Sequence, residues 1–176
     1  MGSWFDLRSV KLRSGEEHRE AVEVSLEPLL LGGQRYVPVP ERVPAALAVT
    51  QAATGRVFEL RFTGRLHGPC YRCLSDAVVQ LEVHGREYQA TSPGDSDELR
   101  TPYLDQNRLS LGTWARDALV LALPDKILCR EGCAGLCPVC GRDLNAEPHS
   151  HAGPEPDSRW AALAELRERL RGLSEK

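Results

Sequence analysis

The residues best placed to do chemistry are six cysteines and two histidines. They stand as Cys70-Tyr71-Arg72-Cys73, Cys129-x3-Cys133, Cys137-Pro138-Val139-Cys140 and then His149-Ser150-His151. Zinc takes four nitrogen or sulfur ligands in a tetrahedron, and a short-spaced pair delivers two of them from one tight turn. Cys137-Pro138-Val139-Cys140-Gly141 is a good turn of this kind, because Gly141 can adopt the positive φ that lets backbone amides point at the sulfurs. Six thiols and two imidazoles make eight ligands, enough to fill two structural Zn2+ sites. Two pairings are open. In the first, Cys137 and Cys140 join His149 and His151, while Cys70 and Cys73 join Cys129 and Cys133 and pin the C-terminal segment to the rest of the chain. In the second, Cys129, Cys133, Cys137 and Cys140 surround one zinc, Cys70 and Cys73 form a free pair, and the histidines are solvated. His18, His67 and His84 have no such neighbours and read as ordinary surface or strand residues.

Two enzymatic readings compete with a structural metal. His18-Arg19-Glu20 with Pro69-Cys70-Tyr71-Arg72-Cys73 imitates a zinc deaminase signature. That chemistry needs its ligand and its acid/base Glu fixed on one rigid element, and the imitation leaves four cysteines unexplained. A thiol oxidoreductase would need a depressed thiol pKa, usually at a helix N-terminus in a βαβ setting. Cys70 instead follows a β segment, and Pro138 favours a knuckle turn.

The elements that must hold these ligands show two periodicities. Val22, Val24 and Leu26 alternate with polar residues, and Leu29-Leu30-Leu31 runs into a Gly32-Gly33 turn ahead of Arg35-Tyr36-Val37. Pro38, Pro40 and Pro44 would confine the next stretch to an edge or an irregular segment. Val43, Ala45, Leu47 and Val49 alternate again, as do Phe58, Leu60, Phe62 and Leu66, and then Val79, Leu81 and Val83. Period-two patterning in separate segments predicts an antiparallel sheet or a partly open barrel. Ser92–Glu98 is a polar, acidic break. Beyond it Leu111, Trp114, Ala115, Ala118, Leu119 and Ala122 fall on one helical face, with Ser110 as N-cap and Pro124 as stop. The fold class is therefore α+β, with one packed helix. Residues 1–123 form the β-rich domain, 124–152 a zinc-knuckle segment, and 153–176 a terminal helix carrying Trp160, Leu163, Leu166 and Leu170. Trp114 and Trp160 lie in phase with apolar stripes and read as core.

Composition narrows the function. With 176 residues, 41% hydrophobic and 27% charged, the chain suits one soluble globular domain with an appendage. No apolar run approaches a membrane span, and no signal peptide is recognisable. Met1-Gly2-Ser3-Trp4-Phe5-Asp6 opens like a myristoylation site, but Asp6 stands where Ser or Thr is required. A cytoplasmic location is expected, where thiols stay reduced unless they bind metal or do catalysis. A formal net charge of −3 argues against a broad basic face for nucleic acid, so any RNA contact is local or goes through protein. The only local basic cluster is Arg159, Arg167, Arg169 and Arg171.

Over about residues 20–165 the sequence resembles the YceD family of large ribosomal RNA subunit accumulation proteins. The resemblance is carried by Cys70-Tyr71-Arg72-Cys73-Leu74, by Leu121-Ala122-Leu123-Pro124 with Leu128-Cys129, and by Gly135-Leu136-Cys137-Pro138-Val139-Cys140-Gly141 with Leu144-Asn145. Where the family pattern has Cys-x-Cys after the Leu-Asn pair, this chain has His149-Ser150-His151, an exchange of thiolates for imidazoles that a retained metal site permits. The family's Asp-Pro-Arg is Asp157-Ser158-Arg159 here. The resemblance implies a role in making the large ribosomal subunit through accumulation of 23S rRNA. It implies a precursor of that subunit, rRNA or ribosomal protein, as partner, with no membrane and no small-molecule substrate. The expectation is a non-enzymatic assembly factor.

Overall fold

The computed structural model describes residues 3–92, 94, 96–151 and 163. Its body is a six-stranded antiparallel sheet built on one long hairpin. Strand β6 (Gly55–Pro69) pairs along its whole length with β7 (Asp76–Ala90). The opposite edge of β6 is shared between β5 (Arg42–Gln51) and β4 (Gln34–Pro38), and these are flanked in turn by β2 (Glu17–Ser25) and β3 (Leu29–Leu31). The hairpin β3–β4 turns on Gly32 and Gly33, at φ 56° and 79°, which is the backbone a two-residue turn demands. No pairing between β2 and β7 closes the sheet among the described residues, so it is open rather than a closed barrel.

The alternation read from sequence is the burial pattern of the sheet. Val24, Val43, Leu47, Val49, Phe58, Leu60 and Leu66 are all at most 3% exposed. Between them stand Arg61, Arg65, Glu82 and Arg86, which face solvent. Helix α1 (Leu111–Leu121) closes the apolar face with Leu111, Trp114, Ala115 and Leu119. It stops before Pro124 as expected, but Ser110 gives no side-chain cap; its hydroxyl bonds Thr113 Oγ1 at 2.9 Å. Two glycines let the helix sit close. A Cβ at Gly85 would lie 2.8 Å from Trp114 Nε1, and one at Gly64 would lie 2.7 Å from Leu119 Cδ1. Each glycine is the socket for one large side chain, and alanine there would push the helix off the sheet.

Two features depart from the sequence reading. Pro44 lies inside β5, an interior strand, and not on an edge or in an irregular segment. It is tolerated because the ladder from β5 to β6 begins only at Ala45, so Pro44 faces no β6 partner for the N–H it lacks. A second, three-stranded sheet of β1 (Trp4–Asp6), β9 (Arg108–Ser110) and β8 (Leu104–Asp105) was not expected. Strands of two or three residues are too short to show a period, and the signal that exists is Gln106-Asn107, both at positive φ in the β8–β9 turn. Apart from Leu163, the terminal helix expected over 153–176 lies outside the described residues.

Candidate metal centres

The β6–β7 hairpin ends in the loop Cys70–Ser75. Cys70 N–H donates to the Ser75 carbonyl at 2.7 Å, and Leu74 N–H to the Cys70 carbonyl at 3.0 Å, with Leu74 at φ 63°. This tight loop turns the Cys70 and Cys73 sulfurs to one side. The chain after α1 comes back to it: Tyr71 N–H donates to the Ile127 carbonyl at 2.8 Å, and Ile127 is 5% exposed. Cys129 and Cys133 follow directly. The sulfurs of Cys70 and Cys133 are 3.8 Å apart, and those of Cys73 and Cys129 are 3.6 Å apart. A tetrahedron with Zn–S bonds of ~2.3 Å has edges of about 3.8 Å. A disulfide would need about 2.0 Å, and all six thiols are free. The four ligand atoms lie within 4.8 Å of one another.

The second cluster is built by the knuckle around Pro138. Cys137 N–H donates to the Arg142 carbonyl and Gly141 N–H to the Cys137 carbonyl, both at 2.8 Å, and Gly141 takes φ 72°. His149 Nε2 is 3.1 Å from Cys140 Sγ, and His151 Nε2 is 3.4 Å from the same sulfur. The His149 Nδ1 lies 2.7 Å from the Glu147 carbonyl, so Nδ1 carries the proton and donates while Nε2 is free to ligate. Cys137, Cys140, His149 and His151 again place four ligand atoms within 4.8 Å.

The electrostatics suit a cation. Burial alone would raise the Cys70 thiol, but N–H groups of Cys73, Arg72 and Cys129 outweigh it and bring the thiol down to about 6. The Ser75 hydroxyl and N–H lower Cys73. The Cys140 and Val139 amides bring Cys137 down to about 6 against partial burial. Cys129 moves the other way, to about 12, through desolvation and then its crowding by Cys73, Cys133 and Cys70. Sulfur and imidazole donors select a borderline or soft metal over calcium or magnesium.

All eight residues singled out from the sequence therefore fall into two groups, Cys70/Cys73/Cys129/Cys133 and Cys137/Cys140/His149/His151. The groups separate Cys129 and Cys133 from Cys137 and Cys140, so the single-zinc arrangement is not the one found. His18 belongs to neither group; it lies in β2, with Nε2 3.1 Å from Glu20 Oε2. Sequence reasoning missed the residues around the ligands. Arg72 bonds the Cys133 carbonyl with its guanidinium at 2.6 Å and receives Leu136 N–H on its own carbonyl at 3.1 Å. Gly135, at φ 81°, passes so close to Arg72 that a Cβ would sit 3.1 Å from that residue's carbonyl oxygen. Asn145 bonds Ala134 N–H at 2.8 Å. Their only sequence signal is that Arg72, Gly135 and Asn145 fall within the segments that carry the family resemblance.

The family model described as large ribosomal RNA subunit accumulation protein YceD matches residues 58–167, more than half of the chain. The chain belongs to that family. The matched span begins inside β6, so the resemblance noted from residue 20 onward is not matched before residue 58. An uncharacterized protein of Mycobacterium tuberculosis is 35% identical over 103 residues, covering 56% of this chain and 49% of that protein. An uncharacterized protein of Mycobacterium bovis matches to the same extent. One of Mycobacterium leprae is 29% identical over 102 residues, covering 55% of this chain and 46% of its own length. The chain spans about half the length of the curated relatives it matches. No solved structure matches.

Proposed function

We propose that this YceD-family chain is a non-enzymatic zinc-binding factor in large ribosomal subunit biogenesis. It supports accumulation of 23S rRNA by binding pre-ribosomal RNA or ribosomal protein in the cytoplasm. The observation that carries the metal part is the partition of eight ligands into two complete sets of four. A structural zinc site has all four positions filled by protein, whereas a hydrolytic one keeps a position for water. The ribosomal part rests on the family.

The surroundings support a structural role over chemistry. No helix follows Cys70; the loop runs into β7, so a helix N-terminus does not activate the thiol. His18 and Glu20 lie on β2 and bond each other, apart from both cysteine groups, which removes the support for a deaminase. The exposed sheet face alternates Arg19, Arg61 and Arg86 with Glu17 and Glu59, which pair with them, and this favours a local contact over a broad electrostatic grip on RNA. No described helix is long and apolar enough to cross a membrane.

Depletion of the protein in its host is the functional test. The expected result is loss of mature large-subunit RNA with the small subunit unaffected, and co-sedimentation of the protein with large-subunit precursors. Normal 23S rRNA levels in depleted cells would overturn the assignment.

A further inference from the structure

We propose that Asn145 couples the two metal centres, so that metal binding at the exposed cluster tightens binding at the buried one. The proposal rests on the metal-site reading above. Asn145 lies in the loop between Cys140 and His149, whose path is fixed when the second cluster closes on its metal. Its side chain nevertheless serves the first cluster. Asn145 Nδ2 donates to Cys133 Sγ at 3.6 Å, and Oδ1 accepts the N–H of Ala134, the residue after Cys133, at 2.8 Å. The carboxamide is held by Asp143, which accepts from Asn145 Nδ2 at 2.6 Å and from its backbone N–H at 2.8 Å. Asp143 is fixed in turn by its bridge to Leu136, and Leu144 N–H bonds the Gly135 carbonyl at 2.9 Å.

Among the described residues, no other side chain of the Cys140–His149 loop bonds a sulfur of the first cluster. A donor to a ligating thiolate holds the sulfur's position and draws off negative charge, and loss of such a partner typically costs 10–100-fold in metal affinity. When the second cluster is empty, residues 143–145 are held only by these bonds and by the Ala146 and Glu147 N–H groups on the Asp143 carbonyl, at 3.2 and 3.0 Å; with the loop beyond them released, the donor spends less of its time on Cys133. Affinity at one site then depends on occupancy of the other, by the same factor in both directions.

The test uses the full chain, stripped of metal and titrated with Co2+, whose absorption distinguishes an all-sulfur site from a mixed sulfur–nitrogen one. Asn145→Asp keeps the acceptor for Ala134 but puts a carboxylate oxygen against Cys133. We expect about tenfold or greater weakening of the all-sulfur site. The double substitution Asp143→Asn with Asn145→Asp restores the bond between those two residues but not the N–H to sulfur, and the weakening should persist. His149→Ala with His151→Ala, which removes the second site, should weaken the all-sulfur site about tenfold in the parent chain and clearly less with Asn145→Asp present. Amide protection along β6 and β7 verifies that each variant folds. Independent filling of two cobalt sites, with additive effects, would overturn the coupling and leave the metal reading intact. No cobalt uptake at either cluster would overturn both.

Discussion

The two clusters have the same number of ligands and opposite settings. Cys70, Cys73 and Cys133 are buried, and Cys129 alone of the four reaches the surface; together they join the tip of the β6–β7 hairpin to the chain returning from α1. Cys137 is buried, but Cys140 and His151 are exposed, and their cluster closes a loop within a single stretch of chain. The first links segments 56 to 63 residues apart and shares the hydrophobic core. The second links residues 9 to 14 apart and stands largely on the surface. Burial and long-range connection make the first cluster part of the fold, whereas the second is confined to its own loop.

The largest effect should come from Cys133→Ser. It leaves three thiolates around a buried metal and cuts the tie between the hairpin tip and the returning chain. Structural zinc contributes on the order of 10 kcal/mol to the folding of small domains. The expected outcome is lost amide protection at Tyr71, Leu74 and the 127–136 segment with a large fall in melting temperature, while the β2–β5 ladder persists. Cys137→Ser should be milder: hydrogen exchange rises over 137–149 and melting of the sheet shifts little. Unchanged protection over 137–149 in that variant would remove the structural-metal account of the second cluster.

Acidification should separate the clusters next. Ligands must be deprotonated to bind, so metal is lost as pH falls through their pKa values. The bond to the Glu147 carbonyl raises the His149 imidazole above its ordinary value, and Cys137 sits at about 6. Cys70 also sits at about 6 and Cys129 at about 12, so the thiols do not separate the sites; what separates them is the imidazole pair of the second site and its direct access to solvent. Zinc release followed with a chromogenic chelator from pH 8 to pH 5 should show the exposed site emptying faster at each pH than the all-thiolate site. Simultaneous release would contradict the contrast drawn here. The smallest effect is expected for His151→Ala, since water can take an exposed fourth position. The second site should keep its metal with reduced affinity, and the melting temperature should barely move.

Much of this was legible in the sequence because local chemistry governs it. Strands β2, β5, β6 and β7 each bury one face, so a period of two survives in Val43 to Val49 and Phe58 to Leu66. The ligand types and the tight Cys-x2-Cys turns depend only on neighbouring residues. What sequence reading left open was long-range. Spacing alone could not decide whether Cys129 and Cys133 pair with Cys70 and Cys73 or with Cys137 and Cys140; the return of Ile127 to the Tyr71 amide decides it. Nothing in the sequence marks Gly64 and Gly85 as the seats of Leu119 and Trp114, because those contacts join elements far apart in the chain. Pro44 misled because its acceptability depends on where a neighbouring ladder starts. The strands β1, β8 and β9 are too short for any period to show.

Metal analysis of the protein purified without added zinc tests the central claim most directly. The expected result is two zinc ions per chain, falling to one in His149→Ala with His151→Ala while the β6–β7 ladder stays protected. Metal-free protein with the same fold, or a single zinc removed by those histidine substitutions, would contradict it.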